Sequence, residues 1–201
     1  MGDDHTFRIM LAIGMLVFMP IGIYRRVRSQ ATGEKLDRRQ EGYLILLTLR
    51  PLGIATMLGV IAFVINPASM AWSSMPLPAW MRWTGVVIGA IAGVLLTWTL
   101  SHLGVNLTDT VVTRKKHTMV TAGPYAWVRH PFYTSAALAI VANSLVTANW
   151  FILVAGSLTF MLLVIRCRTE EENLIARFGD AYGAYMGRTG RFLPRFRAHE
   201  P

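Results

Sequence analysis

Two polar segments in the second half of this 201-residue sequence carry side chains that could bind charged groups. The first, residues 123–133, includes Arg129, His130 and Pro131. Proline has no backbone N–H, so Pro131 predicts the first turn of a helix with His130 at its cap. The free amides at a helix N-terminus, with Arg129 and His130 as further donors, suit an anion such as a carboxylate. The alternative is that Arg129 only snorkels to the membrane surface.

The second segment, residues 170–191, has the 3.6-residue periodicity of one amphipathic helix that lies against a bundle. One turn before its apolar stripe the same face carries Glu171, whereas Glu170 lies on the flank and Glu172 faces solvent. Arg188 continues the stripe at the other end, and Arg191 lies near the terminator. An inward-facing carboxylate and guanidinium need partners beside a membrane, so they indicate a binding site unless they pair with neighbouring side chains. The stripe consists of Leu174, Ile175, Phe178, Ala181, Tyr182 and Tyr185.

One further arginine lies inside an apolar stretch. Arg50 is about seven residues into the second hydrophobic run, roughly 10 Å below the membrane surface. It either snorkels or faces the cavity, where it would bind an anionic substrate group, and Pro51 beside it loosens the helix. Both interpretations stay open.

The sequence does not predict a metal site. The single cysteine, Cys167, excludes an intrachain disulfide, and no CxxC or HExxH spacing occurs. His102, His117 and His130 are fifteen and thirteen residues apart, which matches no common local ligand pattern.

Apolar runs of membrane length must position these segments. The chain is 53% hydrophobic and only 15% charged, which is too apolar for an ordinary soluble domain. Residues 7–24, 43–65 and 80–101 each approach the length of about 20 residues that crosses a bilayer. Residues 132–165 contain no formal charge and are too long for one span, so we expect a hairpin that turns at Ala148, Asn149 and Trp150. The predicted fold is an all-α integral membrane protein with five transmembrane helices, the last two a short hairpin, plus a C-terminal amphipathic cytoplasmic helix.

The chain has a formal net charge of +9, and most of its basic residues lie between these runs, where they indicate orientation. Seventeen of the twenty Lys and Arg residues fall in residues 25–41, 102–131 and 166–201, while residues 66–79 carry no charge. The positive-inside rule then places the N-terminus outside and the C-terminus and active site in the cytoplasm. Asp3 and Asp4 precede the first run and no small-x-small cleavage site follows it, so we expect a retained anchor. Near the outer boundary we expect an aromatic belt of Trp72, Trp80, Trp83 and Trp150.

The third run has small residues at every fourth position, Gly85, Gly89 and Gly93. Such a face lets another helix approach closely, either within the monomer or in a dimer. We therefore expect a monomer or a weak homodimer. Because the positive charge serves orientation, we expect no nucleic-acid partner.

The polar segments together have a recognisable pattern. Residues 117–133 read His-Thr-Met-Val-Thr-Ala-Gly-Pro-Tyr-Ala-Trp-Val-Arg-His-Pro-Phe-Tyr. They are followed by Glu170-Glu171-Glu172-Asn173-Leu174, Phe178-Gly179, Tyr182, Tyr185, Arg188 and Pro194. In this order the residues resemble the isoprenylcysteine carboxyl methyltransferase family, and the related phospholipid methyltransferases share much of the pattern. The resemblance covers residues 103–194, and the N-terminal half matches only as hydrophobic spans.

The resemblance implies a membrane enzyme that uses S-adenosylmethionine to methylate a lipophilic acceptor, such as the carboxylate of a prenylated cysteine. The cofactor would lie between the loop before the fourth helix, the start of that helix and the C-terminal helix. Arg188 or Arg50 would hold the acceptor carboxylate. Thr134-Ser135 departs from the family, which often has a glycine-containing step there. The positions implied for the cofactor are His117, Val120, Gly123, Pro124, Tyr125, Arg129, His130, Pro131, Tyr133, Glu170 and Glu171.

We thus expect residues 1–101 to form a three-helix transmembrane region and residues 102–201 to form the catalytic region. The expected partners are a lipophilic or prenylated substrate and membrane lipids. Two other functions stay open. An NADPH-dependent membrane reductase of the sterol-reductase type would need more basic contacts for its phosphates than one Arg–His pair. A non-enzymatic scaffold could bind acidic lipids through the basic loops, at about 1 kcal/mol per basic residue, but would not explain an inward-facing Glu171.

Overall fold

The structure is a computed structural model that describes residues 2–30, 43–104 and 119–195. Within these ranges the chain is helical, with two isolated β-bridges and two short 3-10 helices, Pro67–Ser73 and Gly123–Ala126. The all-α prediction is confirmed. The α-helices are α1 (Gly2–Gln30), α2 (Tyr43–Ile65), α3 (Ala79–Leu103), α4 (Pro131–Thr147), α5 (Trp150–Phe178) and α6 (Asp180–Arg188).

The lengths and composition of these helices are those of a multi-pass integral membrane protein. In the described part of the chain, α1, α2, α3 and α5 are long and apolar enough to cross a membrane. The apolar helix α4 has 17 residues. Its length is therefore about 25 Å, at the lower limit for a span.

The turn between α4 and α5 lies where the sequence predicts it. Ala148 adopts the left-handed conformation that ends α4, with φ of 47°. Asn149 then caps α5, because its side-chain oxygen accepts from the Ile152 N–H at 3.1 Å. The Asn149 amide also donates to Ser73 Oγ at 2.8 Å and to the Met70 carbonyl at 3.2 Å. The buried Asn149 side chain thus joins the turn to the 3-10 helix Pro67–Ser73.

Two expectations about the second arm of the hairpin are wrong. First, α5 is not short, since its 29 residues extend about 43 Å, well beyond a hydrocarbon core of about 30 Å. Second, residues 170–191 do not form one amphipathic helix. Glu170, Glu171 and Glu172 belong to the last turns of α5, and Gly179 at φ of 53° ends that helix before α6 begins. Glycine populates positive φ without the steric cost of a Cβ, so it can redirect the chain there.

A second polar contact holds the end of the bundle near the α4–α5 turn. Arg82 is only 7% exposed, and its Nε donates to the Val146 carbonyl at 3.0 Å. Its guanidinium pairs with Asp4 at 2.8 Å and lies 4.1 Å from the centroid of the Phe7 ring, close enough for a cation–π contact. These contacts join α1 to α3 and α4. In the sequence Asp4 indicates only a retained anchor, so this contact is not predicted by any local pattern.

The glycine face of α3 packs within the chain. An added Cβ at Gly85 would lie 2.8 Å from Leu145 Cβ and 3.0 Å from the Ala142 carbonyl oxygen of α4. At Gly89 the nearest atom, Ala142 Cβ, would be 3.5 Å away, and Gly93 lies against the Phe18 ring of α1. Close packing with α4 and α1 therefore accounts for Gly85 and Gly93, whereas Gly89 has room for a methyl group.

Alanine substitutions at Gly85 and Gly89 should affect stability differently. Alanine is favoured over glycine in a helix interior by about 1 kcal/mol. Gly89→Ala should therefore either raise the stability of the protein or leave it unchanged. Gly85→Ala should lower it, because the new methyl group pushes α3 away from α4. Thermal unfolding of the purified protein in detergent measures both. Equal melting temperatures for the two variants would contradict this packing.

Candidate active site

The polar segments converge on the carboxylate of Glu171. In the described part of the chain three basic side chains contact it: Arg129 Nε and His130 Nε2 reach Oε1 at 3.0 and 3.1 Å, and Arg191 reaches Oε2 at 2.7 Å. The Glu171 side chain is only 9% exposed. As the sequence predicts, Glu171 is the buried member of its triplet, Glu170 is half-buried and Glu172 is exposed.

Backbone hydrogen bonds bring the three basic residues together. Pro131 begins α4 with His130 at its cap, as predicted. The segment before α4 lies beside the segment after α6: Arg129 N–H donates to the Gly190 carbonyl at 2.8 Å, and His130 N–H donates to the Arg191 carbonyl at 3.1 Å. The cluster therefore depends on three stretches that are distant in sequence.

The Arg129 side chain is largely buried and makes contacts with several segments instead of snorkelling to the surface. Its side chain is 10% exposed, and besides Glu171 it donates to the carbonyls of Met186 and Thr189 at the end of α6. Its guanidinium thus joins α5, α6 and the loop before α4. The snorkelling alternative for Arg129 is wrong, since snorkelling would expose the charge.

His130 is also engaged within the protein. Its side chain is 4% exposed, and Nε2 contacts Glu171. The anion that its Nε2 contacts is thus the Glu171 carboxylate, and a contact of His130 with a cofactor stays a prediction. The backbone amides at the start of α4 remain the anion-binding feature there.

Several buried tyrosines lie near the charged cluster. Tyr133 donates from its hydroxyl to Glu170 Oε2 at 2.8 Å, and Tyr185 donates to the Tyr125 carbonyl at 2.7 Å. Burial raises the pKa of Tyr185 to about 12, so its hydroxyl remains a donor at neutral pH. Burial, and then the charge of Glu170, raises the pKa of Tyr125 well above its usual value.

The loop before α4 needs a glycine. Gly123 has φ of 62° and begins the 3-10 helix that contains the buried Pro124 and Tyr125. A Cβ at this position would lie 2.5 Å from the His102 ring. Gly123 therefore meets both a conformational and a steric requirement.

The other predicted residues have separate locations. Val120 is half-buried in the loop before the 3-10 helix, and His117 lies outside the described residues. Arg188 is exposed at the end of α6, with its guanidinium carbon 5.9 Å from the Tyr185 ring centroid, so the prediction that it faces inward is wrong. Because α6 is a separate helix after Gly179, the stripe through α5 no longer fixes where Arg188 points. Arg50 is exposed on α2.

Two side chains of the cluster, those of Arg191 and Phe192, are not predicted from the sequence. Arg191 was placed only near a helix terminator, yet it contacts Glu171. Phe192 packs its ring against His130, Tyr133 and Phe160. Both lie outside regular helix, so helical periodicity could not place them, and only the pairing of residues 189–191 with residues 128–130 brings them in.

One group of side chains has the spacing of metal ligands. Single ligand atoms of His130, Cys167 and Glu171 lie within 4.8 Å of one another and are buried. However, both Glu171 oxygens already accept from basic groups, and the guanidinium groups of Arg129 and Arg191 would repel a cation. The charges of this cluster favour an anion over a metal ion.

Comparison with known proteins agrees with the sequence pattern. Residues 83–176 match the model of the isoprenylcysteine carboxyl methyltransferase (ICMT) family. Over these residues the chain is similar to the ICMT family. The matched residues include α4 and most of α5, and therefore Arg129, His130 and Glu171.

The curated proteins to which the chain is similar bear two kinds of name. Protein-S-isoprenylcysteine O-methyltransferase from Mus musculus is 30% identical over 70% of this chain and 50% of the relative. The Homo sapiens protein of the same name is 32% identical over 61% of this chain and 44% of its own length. The cobalt-zinc-cadmium resistance protein CzcN of Cupriavidus metallidurans is 30% identical over 57% of this chain and 54% of its own length. The chain thus spans about half the length of the curated relatives it matches.

A solved structure has the same fold. It is that of the eukaryotic intramembrane Ras methyltransferase ICMT, with a TM-score of 0.55 and 24% sequence identity over 72% of this chain and 51% of that chain. At this identity the match is evidence for the ICMT fold.

Removal of the Glu171 charge should destabilise the protein. Glu171→Gln leaves the largely buried guanidinium of Arg129 and the half-buried guanidinium of Arg191 without a counter-charge, so we expect the free energy of unfolding to fall by about 3 kcal/mol. Thermal unfolding in detergent measures the change. The control is Glu172→Gln at the exposed neighbour, which should unfold like the wild type. Equal melting temperatures for the two variants would show that Glu171 does not hold the cluster together.

Proposed function

We propose that this protein is a membrane methyltransferase that transfers a methyl group from S-adenosylmethionine to a lipophilic acceptor. The acceptor class is the carboxylate of a prenylated cysteine or a similar isoprenoid or lipid compound. The observation that carries the proposal is the buried, cation-rich cluster on Glu171, which lies in the region matched to the ICMT family. The similarity of this region to a methyltransferase family favours an enzyme over a scaffold.

The side chains of the cluster fit the chemical groups of this cofactor. S-adenosylmethionine has a carboxylate, an ammonium, ribose hydroxyls and a sulfonium cation. Two guanidinium groups exceed the single charge of Glu171 and suit the carboxylate, while the acidic side chains of Glu170 and Glu171 suit the ammonium or the ribose. The buried rings of Tyr125 and Tyr133 offer faces for adenine or, by cation–π attraction, for the sulfonium.

When bound, S-adenosylmethionine supplies an electrophilic methyl group. A carboxylate acceptor is already a nucleophile, so the protein needs no general base. The tyrosines agree with this, since burial raises the pKa of Tyr182 as well as that of Tyr185 and keeps both hydroxyls protonated. The contribution of this chain is then to align the acceptor with the cofactor and to exclude water.

The acceptor would approach from the membrane. Apolar side chains beside the charged cluster are exposed, namely Phe132 at the start of α4, Trp127 in the loop before it and Leu193 after α6. They offer a lipophilic chain an apolar surface at the level of the site. Arg188 is exposed and could reach the acceptor carboxylate from outside the cluster. That role and the corresponding role of Arg50 stay predictions.

The proposed topology completes this arrangement. Counting the 17-residue helix α4 as a span gives five crossings, with the N-terminus outside and Glu171 at the cytoplasmic ends of α4 and α5. The exposed Trp72, Trp80, Trp83 and Trp150 would then form the outer aromatic belt. In this proposal residues 1–101 are the transmembrane region and residues 102–201 the catalytic region.

A binding titration of the purified protein tests the proposal against its rivals. We expect S-adenosylhomocysteine to bind and NADPH not to bind, because the cluster has few basic groups for several phosphates. Binding of NADPH alone would favour a membrane reductase. Binding of neither ligand would favour the scaffold.

The same titration tests the site. Glu171→Gln and His130→Ala should each lower the affinity for S-adenosylhomocysteine by about tenfold or more, since each removes a buried polar contact of the cluster. Glu172→Gln, at an exposed position, is the matched control and should bind like the wild type. Unchanged affinity in both site variants would place the cofactor elsewhere. A mass-spectrometric search for methylated products in cells with and without the protein would then identify the acceptor.

A further inference from the structure

Phe192 lies at the boundary between the charged cluster on Glu171 and the apolar surface beside it. On one side its neighbour Arg191 contacts Glu171, and on the other side its neighbour Leu193 is 75% exposed. Phe192 itself is half-buried. A lipophilic chain whose carboxylate reaches the cluster therefore passes this ring with its first carbon atoms.

Three other rings hold the Phe192 side chain between α4 and α5. Its ring centroid lies 6.0 Å from that of His130, 6.3 Å from that of Tyr133 on α4 and 6.4 Å from that of Phe160 on α5. Phe160 is eleven residues before Glu171, about 16 Å away along the helix axis. Phe192 therefore occupies the space between the two helices on the apolar side of the charged cluster.

The backbone of Phe192 is fixed as well. The Thr134 hydroxyl, in the first turn of α4, donates to the Phe192 carbonyl at 2.8 Å, which is closer than the His130 carbonyl at 3.3 Å. The preceding carbonyl, that of Arg191, accepts from His130 N–H at 3.1 Å. Thr134 belongs to the step at which the sequence departs from the family pattern, and its hydroxyl has a defined partner there. The Phe192 ring is thus held in place by contacts of both its side chain and its backbone.

We infer that Phe192 limits how bulky the lipophilic chain of the acceptor can be next to its carboxylate. This inference rests on the proposed function and adds a specificity-determining residue on the acceptor side of the site. A ring that packs on three other rings cannot move aside without opening gaps, since protein interiors are close-packed. Removal of the ring should therefore favour bulkier chains over slimmer ones. One methylene group in an apolar pocket can change discrimination by about 10- to 200-fold.

Two acceptors that compete in one reaction test the inference. N-acetyl-S-dodecylcysteine and N-acetyl-S-farnesylcysteine have the same head group and main-chain length, but the methyl branches and double bonds of the farnesyl chain make it bulkier and stiffer. Transfer of the methyl group to the carboxylate oxygen gives a methyl ester and S-adenosylhomocysteine. Mass spectrometry of the products formed by the detergent-purified protein measures the ratio of the two esters. A loss of stability or of cofactor binding lowers both esters and leaves this ratio unchanged.

Phe192→Ala should shift the ester ratio by about tenfold towards the farnesyl ester, because the space beside the carboxylate becomes wider. Phe192→Leu keeps an apolar side chain in the same place but loses the ring, so it should give a smaller shift in the same direction. Thr134→Val removes the hydroxyl that holds the Phe192 carbonyl and should also shift the ratio towards the farnesyl ester.

The matched control is Phe151→Ala, which removes a half-buried ring of α5 at the opposite end of the bundle, 5.4 Å from the Trp72 ring. This variant should leave the ester ratio unchanged. An unchanged ratio in Phe192→Ala, or an equal shift in Phe151→Ala, would show that Phe192 has only a structural role. Either result, or a wild type that esterifies the farnesyl acceptor alone, overturns the inference and leaves the proposed function standing. A wild type that esterifies neither acceptor would overturn both.

Discussion

A buried carboxylate that several cations share is the constraint on which the rest of the structure depends. Glu171 can be charged in a nearly dry position only if Arg129, His130 and Arg191 reach it. This requires α5 to extend as far as Glu171, α4 to begin at Pro131, and the chain after α6 to return beside the loop before α4. A single ionic contact thus fixes the relative positions of three segments.

The opposite end of the bundle is held by the same kind of contact. Arg82 and Asn149 are buried there, and each joins helices that are distant in sequence through hydrogen bonds to carbonyls or side chains. Between the two ends the helices meet through small residues such as Gly85. This division is expected in a bilayer, where apolar side chains are as well solvated by lipid as by protein. Specific packing therefore comes from close approach and from polar contacts.

The features that the sequence predicted correctly are local. Pro131 could be recognised as a first helical residue because it lacks an N–H, and the turn at Ala148 and Asn149 could be recognised because an uncharged run was too long for one span. Glu171 was singled out by helical periodicity, which holds because it shares α5 with the start of the stripe. The inward position of Arg188 was wrong because the same periodicity was carried across Gly179, where the helix ends.

The sequence by itself determined the helical, membrane-spanning character of the chain, the start of α4 and the identity of the buried acid, because composition, helix period and proline chemistry act over a few residues. Only the tertiary structure decided which cations meet that acid. Three arginines in this part of the chain have different environments. Arg129 is largely buried on Glu171, Arg191 is half-buried on Glu171, and Arg188 is exposed. The choice depends on backbone pairing between residues 128–130 and 189–191, a contact across about sixty residues that no local pattern encodes.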